Sequence, residues 1–595
     1  DGNAGIELAM QRNNIGAVLK SFEIKAYNPD STAVVIDMTD YLTGDERLLS
    51  PIQAKSEGKY MLRGVTYRHS KEGSYLDDVK AFDNNVTVTS TLTYKSNVNK
   101  FYTRFTTAKV DRMFIRLPET EMKKRDADYR LPVQVMGKLR YRSDMKAVEE
   151  YYYAQRWRLE PVDQVAFDRG EGSAVKKPIV FYVDTTFTPM LRRGIIEGVG
   201  EWNKAFAKIG YKDVIQFRDF PSPEEDPKFD PDNFDYNVIR FNPSLASSTY
   251  VRTYTDPRSG EILRTTIGVC YNYITNLPYE ILLATAHADP AARTLDMPED
   301  RLRELVKNYF TWLSGVDCFG MTYNLTSSAA FPTDSLRSAT FTQKYGTTPS
   351  MLDRALFNTA APVDGALEGI RLTPKGLGEY DYFIVDWLYR PFKEGEDEKE
   401  ILKKMVDETV GNPVYRYEYS KNCPDCGADD VGNDDLVLAG YHLENLEYMM
   451  ANFDKWISDD FDPDFKMRAV IYQNLVRKYK QILTQIAISV YGIKTYRRME
   501  GDPVPAYEFM TRERQQKALD MLFAHINWPE FLERKDILTN MELPGQSLDN
   551  THKSYFLLLM NTIGSSLFAY ESAPDDRIKH GDYIAYQVDK LWEPT

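Results

Sequence analysis

The stretch EDRLRELVKNYFTWLSGVDCFGMTYNLTSSAAFPTDSLRSATFTQKYGTTPSMLD occupies residues 299–353. It predicts a helix, a turn at Gly320 and a return loop. Helical spacing puts Leu313 and Asp317 on one face, so an apolar group sits beside an acid. Cys318 follows on the same helix. A nucleophilic cysteine needs a histidine partner, and the sequence places none near it, so Cys318 reads as core or cleft lining. The six histidines are His69, His287, His442, His525, His552 and His580, and no two are closer than 27 residues. No H-x-x-x-H pair can therefore face one metal from one helix.

Outward from this stretch, length and composition set the frame. A chain of 595 residues exceeds what one hydrophobic core supports, and three domains are expected. With 43% hydrophobic and 27% charged residues and a mean hydropathy of -0.48, the chain is globular rather than disordered. A net charge of -14 excludes a nucleic-acid binder, which needs a basic face to replace phosphate counterions. No apolar run is long enough to span a bilayer as a helix. The chain opens on DGNAGIELAM, which lacks the charged and apolar regions of a signal peptide. Such leaders are removed on maturation, so this leaves localisation open.

Cys423 and Cys426 form an isolated CPDC, while Cys270 and Cys318 stand alone. A structural zinc site needs four ligands and no second pair accompanies this one, so a local disulfide or two free thiols is expected. The surrounding CPDCGADDVGNDD offers carboxylates for calcium but lacks EF-hand spacing, and reads as a solvated loop. There is no G-x-S-x-G elbow, P-loop or G-x-G-x-x-G.

In chain order, residues 1–110 alternate with period two and are rich in Thr, Val and Tyr, which predicts a β-rich N-terminal domain. Residues 111–177 form a charged connector in which Arg156 and Arg158 flank Trp157, either as a carboxylate-binding pair or as a packed strand. An α/β domain over 178–366 begins with the buried strand KPIVFYVDTTF. It continues with the helix MLRRGIIEGVGEWNKAFAKIGY, strands at DVIQFRDF and YNVIRFNP, and an edge strand from DPRSGEILRTTIGVCYNYI. From 367 to 595 the periodicity turns helical, and Leu475, Tyr479, Ile482 and Ile486 line one face of the longest helix. The fold class is thus α+β and multidomain.

Several long words carry a family resemblance: LPETEMKKR, RWRLE, EGVGEWNKAFAKIGY, EEDPKFDPDN, NVIRF, DPRSGEI, FPTDSLRSATFTQKYGTTPS and GEYDYFIVDWLYRP. In order and spacing they resemble the large zinc-dependent metzincin-like peptidases of Bacteroidota, across nearly the whole chain. Such enzymes carry H-E-x-x-H-x-x-G-x-x-H. Two histidines one helical turn apart and a third beyond the glycine bind zinc, and the glutamate is the general base. The resemblance places Leu313 at the first histidine, Ser314 at the base, Asp317 at the second histidine, Gly320 at the glycine and Tyr323 at the third histidine. Only the glycine matches. TTPSMLD resembles the family's methionine turn, with Met351 and Leu352 transposed relative to S-I-M-D.

The resemblance therefore implies a metzincin-like scaffold that has lost its zinc, has no cofactor, and binds rather than cuts. The expected cleft lies between the degenerate helix and the edge strand ending at Val269, Cys270 and Tyr271, with Asp317, Cys318 and Tyr323 facing it. Its expected ligand is a peptide or another polymer. The family setting implies an exported protein at the cell surface or in the periplasm, as an outer-membrane lipoprotein with a lipid anchor on the mature N-terminus. There it would serve an outer-membrane nutrient transporter. The competing reading is an active zinc endopeptidase with a non-standard site built from Asp317, Tyr323 and a distant ligand.

Overall fold

The computed structural model describes the chain apart from residues 1–3, 14–17, 47–49, 53, 57–58, 63–64, 100–101, 142–147, 245–248, 394, 420–422, 428–429, 526–528, 541–552, 556, 569–575 and 593–595. The fold is mixed α and β, and it comprises two compact units. One contains residues 1–121, 138–151 and 221–237, and the other contains residues 122–137, 152–220 and 238–595.

The first unit is β-rich, as its alternation predicts. Its long strand Asn85–Asn99 pairs antiparallel with Tyr102–Ile115 along one side. Along the other it pairs with Tyr75–Ala81 and then with Val65–His69. Being flanked on both sides, this strand buries Val88, Leu92 and Tyr94 together with Thr87 and Ser90. The acidic segment after Phe220 belongs to this unit rather than to the α/β sheet that encloses it in sequence. The Lys80 ammonium lies 2.9 Å from both Asp230 and Asp232. Asn85 donates to the Asp232 carbonyl at 3.2 Å and accepts from the Phe234 amide at 2.8 Å.

The second unit is built around a five-stranded sheet. In chain order its elements are β1 Ile179–Val183, α1 Pro189–Gly200, α2 Asn203–Lys208, β2 Ile215–Asp219, β3 Asn237–Asn242, β4 Tyr250–Thr255 and β5 Ile262–Cys270. Helices α3 Tyr271–Thr285 and α4 Glu299–Cys318 follow. The strand order is β2-β1-β3-β5-β4, parallel between β1 and β2 and between β3 and β5, with β4 antiparallel to β5. This corrects one expectation: the strand ending at Val269 and Cys270 is interior, and the edge is β4. The DPRSG turn folds the chain into a hairpin, so the more apolar IL-to-GVC stretch is sandwiched while TYVRTYT, with half-exposed side chains, takes the rim. A second correction concerns Tyr271, expected to extend that strand. It is the first residue of α3, a helix that carries Pro278 in its interior.

Helices α5 Ala339–Tyr345, α6 Glu379–Tyr389, α7 Glu398–Asp407, α8 Asp435–Asn452, α9 Lys466–Tyr491 and α10 Arg512–Ala524 follow, and helices Ile563–Phe568 and His580–Trp592 also add residues to the core. One contiguous apolar cluster runs from the sheet through α1 and α4 to α6, α8 and α9, across position 366 without a break. The stripe Leu475, Tyr479, Ile482 and Ile486 of α9 is buried in it.

Close approach of α1 to α4 depends on two glycines. A Cβ on Gly194 would lie 2.8 Å from Val306 Cγ1, and one on Gly198 would lie 2.8 Å from Phe310 Cβ and collide with the Lys307 carbonyl. The gap is bridged by Thr311 Oγ1, which donates to the Gly198 carbonyl at 3.0 Å, and by Trp202 Nε1, which donates to the Thr311 carbonyl at 2.8 Å. Gly198→Ala is expected to lower the thermal midpoint. Overpacking of about 1–3 kcal/mol outweighs the gain of about 1 kcal/mol in helix propensity. Gly440→Ala in α8, where a Cβ meets nothing within 4 Å, keeps only the propensity gain and should raise the midpoint slightly. Calorimetry of the two variants checks the opposite signs.

Candidate functional site

The C-terminal half of α4 is largely buried in the second unit. A helix leaves its last carbonyls without internal partners, and here the neighbouring chain supplies them. Gln134 Nε2 donates to the Val316 carbonyl at 2.8 Å, and Thr253 Oγ1 of β4 donates to the Asp317 carbonyl at 2.6 Å. Trp157 Nε1 donates to the Cys318 carbonyl at 2.8 Å, and the Tyr389 hydroxyl of α6 donates to the Phe319 carbonyl at 2.9 Å. The Gln134 amide takes the Gly320 carbonyl at 2.8 Å. The helix then stops at Gly320, with φ of 77°, where any Cβ would collide with the Gln155 carbonyl. This explains the RWR word. Trp157 holds the helix end, while Arg158 binds Glu261 of the same chain at 3.0 and 2.5 Å and is not held ready for an external carboxylate.

The residues that the resemblance sets at the metal positions can now be placed. Leu313 is buried in the main core. Ser314 is fully buried, and its hydroxyl donates to the Phe310 carbonyl at 2.6 Å in its own helix, so it neither faces a cleft nor has a base beside it. Asp317 is mostly buried and its carboxyl is pushed up to about 6 by that burial, with no cation drawing it back. Tyr323 is 40% exposed and lies near enough to Asp317 to feel its charge. Cys318 is fully buried, its thiol pushed well up by desolvation, which makes it core rather than cleft. Val269 and Cys270 are likewise buried and paired to Phe241 and Asn242 of β3, so they line no cleft, whereas Tyr271 is 51% exposed.

Below the helix runs the loop at 347–353. Met351 and Leu352 are both fully buried. A Cβ on Gly315, in the middle of the helix segment, would sit 3.1 Å from Leu352 Cδ2, so it is the leucine that packs up against the helix. Asp381 at the start of α6 holds this turn, accepting from Ser350 Oγ at 2.7 Å and from the amides of Met351 and Gly378 at 2.8 Å each. Burial lifts its carboxyl to about 6 even so.

Sequence reading missed the aromatic face beside Asp317. Tyr273, Tyr309, Trp312 and Tyr323 form a run with ring centroids 4.5, 5.5 and 5.8 Å apart. The exposed Arg354 guanidinium stands 5.9 Å from the Trp312 ring. Tyr309 and Trp312 are three apart on α4, a spacing that puts them on one face, but Tyr273 and Arg354 carry no local signal. Thr253 of β4 closes the other side.

Zinc does not fit this donor set. Leu313 has no donor atom, Ser314 spends its hydroxyl within the helix, and one carboxylate with one phenol falls short of three protein ligands. His287 and His442 lie near each other, the first buried and the second half-buried, with Nε2 on Ala361 O at 3.1 Å and on Thr359 Oγ1 at 2.8 Å respectively. His552 lies outside the described residues. Among the described residues the one group of His, Cys, Asp or Glu close enough to hold a metal is Cys423, Asp425 and Cys426.

Comparison with known families agrees with this scaffold. Residues 317–591 match a family model described as Met-zincin, so this part of the chain is a metzincin-like domain. Leu313 and Ser314 lie just before the matched residues, whereas Gly320, Tyr323 and the 347–353 turn lie within them. Residues 1–162 match a model described as a domain of unknown function. No curated protein and no solved structure matches the chain.

The burial of Asp317 has a measurable sign. Its folded carboxyl is raised to about 6 from 3.8, so the folded chain keeps this proton longer than the unfolded chain. Stability from this group is complete below pH ~4 and is lost as pH rises through ~6. Asp317→Asn should therefore gain on the wild type in melting temperature between pH 4 and 7, and a flat difference across that range refutes the assignment. Trp157→Phe, which strips the donor from the Cys318 carbonyl, should cost about 1–3 kcal/mol by denaturant titration.

Proposed function

We propose that this chain is a catalytically inactive metzincin-like protein that binds an extended peptide, or another polymer, beside α4. The observation that carries the reading is that the two motif positions nearest a catalytic centre are used up by the fold. Leu313 is core and the Ser314 hydroxyl is bonded to Phe310, while Asp317, Tyr323 and Arg354 stay at a rim beside β4. The outer side of β4 pairs with no other described strand, and an extended chain adding there would gain main-chain hydrogen bonds. Tyr323, at the exposed end of the aromatic run, gives flat apolar area, Asp317 selects for a donor, and Arg354 selects for a carboxylate or carbonyl.

Hydrolysis of the family's kind needs side chains that hold an ion to polarise the carbonyl and a base to activate water, and Leu313 and Ser314 offer neither a metal donor nor a base. The family resemblance supports the wider setting: an exported lipoprotein of the outer membrane, at the cell surface or in the periplasm, capturing substrate for a transporter.

A fluorescent peptide library incubated with the purified chain, with and without added zinc, is expected to show binding and no cleavage. Tyr323→Ala and Arg354→Ala should each weaken binding about tenfold, as removal of one aromatic or charged anchor does. Cleavage that is abolished both by chelator and by Asp317→Asn establishes the competing reading, a working peptidase with an unusual metal site. Absence of binding together with absence of any co-purifying membrane complex leaves a purely structural role.

A further inference from the structure

The CPDC loop is neither solvated nor closed. Cys423 and Cys426 are free thiols, 2% and 6% exposed, and Asp425 between them is 7% exposed. A tight turn, with the Cys426 amide donating to the Cys423 carbonyl at 3.3 Å, turns both thiols to one side. The turn is tied to the long helix α9, since Gln485 Nε2 donates to the Pro424 carbonyl at 2.6 Å. Both sulfur atoms and a carboxylate oxygen of Asp425 lie within 4.8 Å of one another.

We propose that Cys423, Asp425 and Cys426 form a binding site for a zinc-class divalent cation, with two thiolates and one carboxylate oxygen as protein ligands. This site is separate from the vacated positions on α4 and does not depend on whether α4 binds a peptide.

The two oxygens of Asp425 are already divided between two tasks. Oδ2 accepts from Arg416 at 2.6 Å and lies 3.3 Å from the Lys494 ammonium, whereas Oδ1, among the described residues, accepts the Cys423 thiol proton, at 2.9 Å. A metal replacing that proton takes Oδ1 and leaves the Arg416 and Lys494 contacts in place. Holding the outer oxygen of a ligating carboxylate is the usual task of such neighbours.

Charge also balances. With both thiols protonated, Arg416, Lys494 and Asp425 sum to one positive charge. A divalent ion that displaces the two thiol protons to solvent leaves that sum unchanged, so loading the site adds no net charge to a buried region. A Cys423–Cys426 disulfide is the other chemistry open to this spacing. It needs an external oxidant and removes the Cys423 thiol, the donor to Asp425 Oδ1 among the described residues, from a buried carboxylate. The position of Asp425 thus favours the metal.

Three protein ligands leave one of zinc's four positions for an exchangeable ligand. Arg416, Asp425 and Lys494 also line a cavity of about 420 Å³, together with Tyr417, Tyr496 and Arg497. Water, or an anion drawn by the cationic lining, can reach the ion from there.

The test is a titration of the reduced, metal-free full chain with cobalt(II), read by absorption. One equivalent bound per chain, with a sulfur-to-cobalt charge-transfer band that added zinc removes, is expected. Cys423→Ser with Cys426→Ser should abolish the band and the stoichiometric binding. Asp425→Asn should keep the band while weakening affinity at least about tenfold. The wild-type band reports thiolate ligation on its own, so the proposal stays testable if the double variant fails to fold. No stoichiometric binding by the reduced wild type, binding without the band, or undiminished binding by the double serine variant each overturns it.

Discussion

The hydrogen bonds that close the end of α4 are the constraint on which the second unit depends. A buried helix end with unpaired carbonyls would cost several kcal/mol. Side chains from the connector (Gln134, Trp157), the edge strand (Thr253) and α6 (Tyr389) meet there, one on each of four successive carbonyls. Segments far apart in sequence are thus forced to a common point. That point coincides with Asp317 and the start of the rim, so whatever the helix presents there is held with little freedom. These bonds use backbone carbonyls and are therefore indifferent to the side chains at Leu313 and Ser314.

Packing on the other faces of α4 is equally demanding. Gly194 and Gly198 let α1 approach, Gly315 lets Trp202 and Leu352 approach, and Thr311 and Trp202 tie the gap to α1 with hydrogen bonds. Leu352 of the 347–353 turn packs against α4 at Gly315, and Met351 beside it is fully buried, so the wall under the helix is apolar. Asp381 fixes that turn through two hydrogen bonds, from Ser350 Oγ and the Met351 amide, and takes a third from Gly378 at the start of α6; burial of its carboxylate pushes its pKa up to about 6.

Two chemically interesting places therefore exist in one unit, with opposite characters. At α4 an acid lies beside one exposed tyrosine, Tyr323, and the exposed Arg354, suited to recognition. At the CPDC turn, two thiols and an acid are packed with two cations around a cavity, suited to coordination. Burial separates them: Tyr323 and Arg354 reach solvent, whereas Cys423 and Cys426 do not.

The sequence by itself determined the β-rich start, the helix ending at Gly320 and the apolar stripe of α9, because each rests on local periodicity or on a single backbone conformation. The Met-zincin character of residues 317–591 was also legible, in long words such as GEYDYFIVDWLYRP. Only the tertiary structure decided which strand is the edge, since hairpin partners β4 and β5 both read as strands and differ in what flanks them. It also decided that 221–237 joins the first unit, through Lys80 and Asn85 some 150 residues earlier. Likewise CPDC read as an isolated pair because ligand counting along the chain sees spacing. Its burial, and the carboxylate drawn in between by Arg416 and Lys494, come from residues that meet only when the chain folds.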